Sequence, residues 1–219
     1  MKFMNDTKKV YVVGNDISYT RNIYNCEIIN DITKADIVMF TGGEDVDPSL
    51  YGCTKHTRTY SNLNRDLYEK DMFEKIKPNQ LVVSHCRGAQ FCCIMNGGLL
   101  VQHCTGHAIG STHRIYSDST NKIFDITSTH HQMQYPYNLD SKDYTILYRS
   151  IENLSNSYEG DKIDPIKINK FGEPEIVLYH KPNMPKCLAI QGHPEYMLSD
   201  SAAVIEINNI IDNLLNEKD

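Results

Sequence analysis

Leu81-Val82-Val83-Ser84-His85-Cys86-Arg87-Gly88-Ala89-Gln90 is the stretch that decides how this chain is read. Its apolar and small residues predict a buried strand, and the apolar run Phe91-Cys92-Cys93-Ile94-Met95 predicts the start of a helix just after it. A cysteine on a sharp strand-to-helix turn stands above the sheet, at the positive end of the helix, where negative charge on sulfur is favoured. Taken alone, Cys86 reads better as a buried structural thiol. What argues for a nucleophile is the downstream segment Gln191-Gly192-His193-Pro194-Glu195. It offers a histidine to take the proton and a carboxylate two residues on to orient it, with Pro194 stiffening the backbone between them. The plainer reading of that segment is a turn with a capping glutamate.

Composition narrows the class. The 219 residues suit one domain, 1–219, with a sizeable core, and 40% hydrophobic and 23% charged residues are ordinary for a globular protein. The formal charge is −6 and no Lys/Arg run occurs, which argues against a nucleic-acid surface. No apolar stretch approaches the roughly 20 residues of a membrane span. The polar stretch 1–9 lacks the apolar segment of a signal peptide, so a cytoplasmic protein is expected. The seven cysteines are odd in number and contain no C-x-x-C pair, so reduced thiols are expected, with Cys92 and Cys93 packing as small hydrophobes.

Further elements follow from periodicity and punctuation. Strands are predicted over 9–13 and 35–40, and a short helix over 18–25. A helix is predicted over 64–77, with Asn64 as its cap and Pro78 beyond its end. Strands are then predicted over 99–103, 113–117, 122–127, 144–149, 175–180 and 187–191. The polar segment 152–171 reads as a loop or hairpin arm, and a last helix capped by Ser199 runs to about 215. The early β-α-β-α-β order favours an α/β fold with an open, mainly parallel sheet flanked by helices, and active groups at the carboxyl ends of its strands.

Three more stretches bear on chemistry. Gly42-Gly43, after the strand over 35–40, lets a backbone N–H turn toward a ligand, and an oxyanion hole from the Gly43 and Arg87 N–H groups is the hypothesis; a simple turn is the alternative. His103-Cys104-Thr105-Gly106-His107, with His113 nearby, has irregular metal-ligand spacing and offers no firm fourth ligand, so no metal is expected. His130-His131 could be a ligand pair, but neighbours on a strand point to opposite faces, which makes a substrate-pocket rim the better reading.

The pattern resembles the class I glutamine amidotransferase superfamily, a flavodoxin-like fold, and within it the γ-glutamyl hydrolase branch, peptidase family C26. The matching pieces run in family order: residues 41–52, beginning Thr41-Gly42-Gly43-Glu44-Asp45; Arg65-Asp66 with Glu69; Cys86-Arg87-Gly88-Ala89-Gln90; Gly97-Gly98-Leu99-Leu100-Val101-Gln102; Thr129-His130-His131-Gln132; and Gln191-Gly192-His193-Pro194-Glu195. The resemblance implies that Cys86 attacks a γ-glutamyl carbonyl, His193 moves the proton, Glu195 orients His193, and a γ-glutamyl thioester forms and is hydrolysed. It implies that Gly42, Gln90, His130, His131 and Gln132 bind the glutamyl group of glutamine or a γ-glutamyl conjugate, without metal or organic cofactor. It leaves three functions open: a stand-alone hydrolase, a glutaminase subunit passing ammonia to a separate synthetase or ligase partner, and an inactive binding module. Two features depart from the family. Ser84 and His85 stand where the elbow usually carries Gly and Ile or Val, and the region 15–36 is compressed.

Overall fold

A computed structural model describes residues 7–217; most of the amino-terminal stretch read for a signal peptide therefore lies outside the described residues. In chain order the strands are β1 (Lys8–Val13), β2 (Cys26–Ile28), β3 (Ile37–Phe40), β4 (Leu81–His85), β5 (Leu99–Val101), β6 (His103–Cys104), β7 (Ala108–Tyr116), β8 (Ile123–Thr129), β9 (Met133–Tyr135), β10 (Tyr144–Ser150), β11 (Tyr158–Glu159), β12 (Pro174–Tyr179) and β13 (Lys186–Ile190). The α-helices are α1 (Leu63–Phe73), α2 (Arg87–Met95), α3 (Pro165–Phe171) and α4 (Ala202–Asn216).

Nine strands form one sheet in the order β2-β1-β3-β4-β13-β12-β10-β7-β8. The fold is α/β, as expected, but the sheet is mixed rather than mainly parallel. From β2 to β13 all neighbours are parallel; from β13 to β8 all are antiparallel. The reason is the length of the connections. β7 to β8 and β12 to β13 are joined by short turns with no helix between them, and a parallel return needs a crossover of a dozen or more residues. Among the described residues no helix is long and apolar enough to cross a membrane.

Alternation along the parallel strands fills both faces of the sheet. Val38, Phe40 and Val82 face the layer of α1 and α2, where they meet Met72, Phe73, Phe91 and Cys92. Ile37, Met39, Leu81 and Val83 belong to the other core, with Ala203, Ile207 and Ile211 of α4. Helix ends differ from the sequence reading because caps are set by backbone geometry. Asn62, in an extended conformation, accepts from Arg65 N and starts α1, and i→i+3 bonds close the chain after Phe73. Ser201, not Ser199, accepts from Val204 N at the head of α4. The segment 18–25 holds only a 3-10 turn over Ile17–Thr20, followed by the unforeseen edge strand β2. The polar arm 152–171 contains β11 and α3, the latter begun by the Asp164 cap and Pro165.

Phe40 ends β3 with its ring 5.2 Å from Phe91 and 6.0 Å from Phe73, tying the sheet to both helices. Phe40→Ala should cost about 3–5 kcal/mol of stability, read as a lower midpoint in urea unfolding.

Candidate active site

Register brings the sequence-predicted groups together. Phe40 pairs with Ser84, and His85 with Ile190, so β3, β4 and β13 release the chain at nearly one level. Gly42-Gly43, Cys86 and His193 follow those three ends. The Cys86 N–H donates to Ile190 O at 2.8 Å, which carries the ladder one residue past β4.

Cys86 adopts φ 51°, ψ −111° at the N-cap of α2. This left-handed backbone is strained for a residue with a Cβ, by about 1–3 kcal/mol. Such strain persists only where the surroundings enforce it. Gly88 is part of that enforcement, since a Cβ there would run into the Phe40 carbonyl. Ser84 replaces the usual glycine without disrupting the turn: it is fully buried, and its hydroxyl donates weakly to Leu188 O at 3.4 Å.

Glu195 lies between two histidines. His193 Nδ1 donates to Oε1 at 2.6 Å, and His85 Nδ1 donates to Oε2 at 2.9 Å. This gives His85 a partner that the sequence alone could not name. Burial opposes the charge on Glu195, yet the hydrogen bonds from His193 and His85 outweigh it and hold the carboxyl down at about 2. Burial likewise opposes charge on His193, but hydrogen bonds to Cys86 and Glu195 raise it to about 10. Two tyrosines missed in the sequence frame the imidazole. Tyr196 stacks on it at 4.7 Å and 9°, and Tyr19 lies 6.1 Å away, tilted. Gly42 must be small because the Tyr19 hydroxyl and the His193 ring occupy the space a side chain would need.

A second buried ionic system fixes the Gly42-Gly43 loop. The Arg87 side chain points away from the thiol and pairs with Asp66 and Glu69 of α1, all fully enclosed. Glu69 also accepts from Arg65 Nε at 2.8 Å, and Arg65 donates to Gly42 O at 2.8 Å and to Glu44 at 2.6 Å. The Arg65 guanidinium packs against Gly43, whose φ of 137° and lack of a side chain allow it. The Arg-Asp-x-x-Glu element thus clamps the elbow helix to the loop beside it.

Cys86, Arg87 and Gln90 share a cavity of about 160 Å³ with Gly43, Glu44 and Asp45. Its other walls are Tyr60 and residues 129–132. Gly42 lies behind His193 instead of on this lining. Gln90 Nε2 donates to Gln132 O at 3.0 Å, and His130 Nδ1 donates to the same oxygen at 2.8 Å. Gln132 Nε2 donates to Thr59 Oγ1 at 3.2 Å. Burial drives the His130 pKa down to about 3, so its imidazole is neutral. His131, half-buried on the opposite side, pairs with Asp45 at 3.2 Å, and that hydrogen bond raises it. Arg87 opens α2, so its N–H belongs to the first turn, whose donors lack helical partners. A larger open hollow of about 820 Å³ lies at the other end of the sheet, around Lys9, Asp36 and Gln80, away from the thiol.

The peptidase C26 family model matches residues 22–153, which include the Gly42-Gly43 loop, the Cys86 elbow and the His130–Gln132 wall. The chain belongs to the peptidase C26 family. Protein NtpR of Enterococcus hirae is 36% identical over 76 residues, a match spanning 34% of this chain and 32% of that protein. Among solved structures, a GMP synthase subunit from Thermoplasma acidophilum superposes with a TM-score of 0.60 at 15% identity, covering 96% of this chain and 95% of its own. The glutaminase domain of Trypanosoma brucei CTPS with bound acivicin gives 0.54 at 10% identity, covering 97% and 95%. A glutamine amidotransferase from Thermotoga maritima gives 0.51 at 11%, covering 96% and 95%. These likenesses establish the class I glutamine amidotransferase fold.

Two expectations follow. Glu69→Gln, which weakens the pairs to both arginines, should destabilise the protein by about 3–5 kcal/mol in chemical denaturation and lower activity in the fraction that stays folded. The second concerns His193, whose pKa of about 10 in the fold exceeds an unfolded value of about 6.5. Its stabilisation is therefore complete below pH 6.5 and is lost as pH rises toward 10. The melting temperature of the wild type should fall more steeply over that window than that of His193→Gln; parallel curves would contradict the shift.

Proposed function

We propose that this protein cleaves the γ-glutamyl C–N bond of glutamine or of a γ-glutamyl conjugate through a thioester on Cys86. The observation that carries this reading is the strained Cys86 elbow facing a His193 that is hydrogen-bonded on its far side to buried Glu195. Because Nδ1 of His193 is committed to Glu195, Nε2 is left for the thiol. The proton already sits on His193, which hydrogen bonds to Cys86 and Glu195 raise to about 10, and Cys86 Sγ attacks the γ-carbonyl. The negative oxygen of the tetrahedral intermediate is received by the Gly43 and Arg87 N–H groups, each donor contributing about 3 kcal/mol to the transition state. Collapse breaks the C–N bond, and His193 protonates the leaving nitrogen. The γ-glutamyl thioester is then attacked by water, which gives a proton to His193, and glutamate leaves with the thiol restored. Gln90, His130, His131 and Gln132 line the cavity where the glutamyl group is held.

His85 is a positioning residue in this scheme. By occupying Glu195 Oε2, it leaves Oε1 to His193 and fixes the carboxylate plane. A hydrogen bond to a charged group contributes about 1.5–3 kcal/mol, so His85→Val should slow acylation by roughly 10- to 100-fold with little change in substrate affinity.

A second reading is favoured by the fold neighbours described as a CTPS glutaminase domain and a GMP synthase subunit. Here the chain is a glutaminase subunit that delivers ammonia to a synthetase partner. Ammonia release from glutamine only in the presence of a second protein would support it. High activity of the isolated chain on γ-glutamyl amines would support the stand-alone hydrolase.

Intact-protein mass spectrometry after treatment with acivicin or a glutamine-mimicking diazo-ketone tests the site itself. One adduct is expected on the wild type, more slowly on His85→Val, and none on folded Cys86→Ala. A wild type left unmodified, or an adduct that survives Cys86→Ala, would overturn the assignment.

A further inference from the structure

Behind the cavity wall, a second polar cluster takes no part in the reaction described above. Two chain segments build it: β7, with His107 just before it and His113 on it, and β12, which carries Glu175. Glu175 Oε1 lies 3.0 Å from His113 Nε2 and 3.6 Å from His107 Nδ1, and one donor atom from each residue falls within 4.8 Å of the other two. Around a four-coordinate zinc with bonds of about 2 Å, donor atoms stand roughly 3.3 Å apart. The two distances to Glu175 bracket that value, the two histidine nitrogens lie within 4.8 Å of each other, and two imidazoles with one carboxylate are a zinc donor set.

The surroundings fit the same ion. His107 Nε2, the nitrogen turned away from Glu175, faces Glu173 Oε2 at 3.1 Å. A carboxylate behind an imidazole is the arrangement that orients a metal-bound histidine. Ser150 Oγ lies 3.1 Å from Glu175 Oε1 and 3.3 Å from His113 Nε2, and Ser128 Oγ lies 3.3 Å from His107 Nδ1, so hydroxyl oxygens border the same point. An independent sign comes from an unpaired atom. Glu175 Oε2 is buried without a hydrogen-bond partner, on a fully enclosed side chain between the two imidazoles. Leaving such a group unpaired is costly. Two fully buried carboxylates, Glu173 and Glu175, also concentrate two negative charges that a divalent cation would cancel.

We propose that His107, His113 and Glu175 form a binding site for a divalent transition-metal cation, zinc foremost, that ties the start of β7 to β12. The His107 ring lies 4.5 Å from that of His130, which lines the Cys86 cavity. The ion is therefore structural, and it stiffens one wall of the substrate site from behind. The rival way to balance the two carboxylates is protonation within the cluster, which needs no ion.

The test uses the full chain carrying Cys86→Ala, because that thiol and His193 could themselves bind a soft metal. After removal of metals with a chelator, the protein is titrated with cobalt and then with zinc. One equivalent of cobalt should bind with visible bands of four-coordinate nitrogen and oxygen ligation and no thiolate charge-transfer band. Zinc should displace it. At zinc concentrations about 100 times the dissociation constant, the melting temperature should rise by roughly 5–10 °C. Glu175→Gln should lose the cobalt bands, whereas substitution of the half-buried His56, which is no member of the cluster, should not. Should Glu175→Gln fail to fold, X-ray absorption at the zinc edge of the parent protein still decides, with two imidazoles and no sulfur expected. A protein that folds and melts alike with and without zinc, or whose metal is held by sulfur, would overturn the site and leave protonation within the cluster as the balance.

Discussion

The in-register parallel pairing of β3, β4 and β13 is the constraint on which the rest of the site depends. Each strand alone ends in an ordinary loop. Paired with Ser84 opposite Phe40 and His85 opposite Ile190, they deliver a glycine pair, a cysteine and a histidine to one end of the sheet. The Cys86 N–H bond to Ile190 O then holds the first residue of the elbow to β13, so the strained backbone cannot relax without breaking the ladder. Phe40 couples this geometry to packing. Its ring sits between α1 and α2, and its carbonyl passes so close to Gly88 that no other residue fits there.

Electrostatics sharpen what the ladder places. Buried ions are expensive unless paired and hydrogen-bonded, and here every buried charge near the thiol is shared. Glu69 serves two arginines, Arg65 reaches both Glu44 and the Gly42 carbonyl, and Glu195 serves two histidines. Sharing makes position cooperative, because moving one member unpairs a second. The Gly42-Gly43 loop and the Glu195 carboxylate are therefore held by charge as well as by backbone.

What the sequence made legible follows from how local each signal is. Cys86, His193 and Glu195 could be read because each sits in a short segment with its own punctuation. Gly42-Gly43 could be read only as a weak turn signal, since Arg65, the residue that fills the space a Gly43 side chain would take, is remote in sequence. Tyr19 carried no signal, because what matters is its ring's approach to His193 and His85 across the sheet. Helix starts slipped by about two residues because Asn62 and Asn64, or Ser199 and Ser201, are equal candidates until φ and ψ choose between them. The antiparallel pairing of the later strands has no local signal, because the early β-α-β-α-β rhythm speaks only for strands that helices separate.

That antiparallel half has a consequence for the cavity. A doubly wound sheet would continue beyond β13 with further parallel strands and covering helices. This chain instead folds back through β12, β10, β7 and β8, and β8 leads directly into His130, His131 and Gln132. The wall opposite the Gly43 loop is thus the end of a hairpin rather than a loop on a rigid parallel core. A hairpin end needs support from elsewhere, and the structure provides it from both sides: Gln90 of the elbow helix and His130 both donate to Gln132 O in front, and the His107 ring packs on His130 behind. Because Glu175 on β12 faces His107 and His113 at the root of that hairpin, the polar cluster there bears on where His130 stands. Cys86 is held by the parallel half of the sheet and the wall facing it by the antiparallel half, so the cavity forms where the two pairing modes meet at β13.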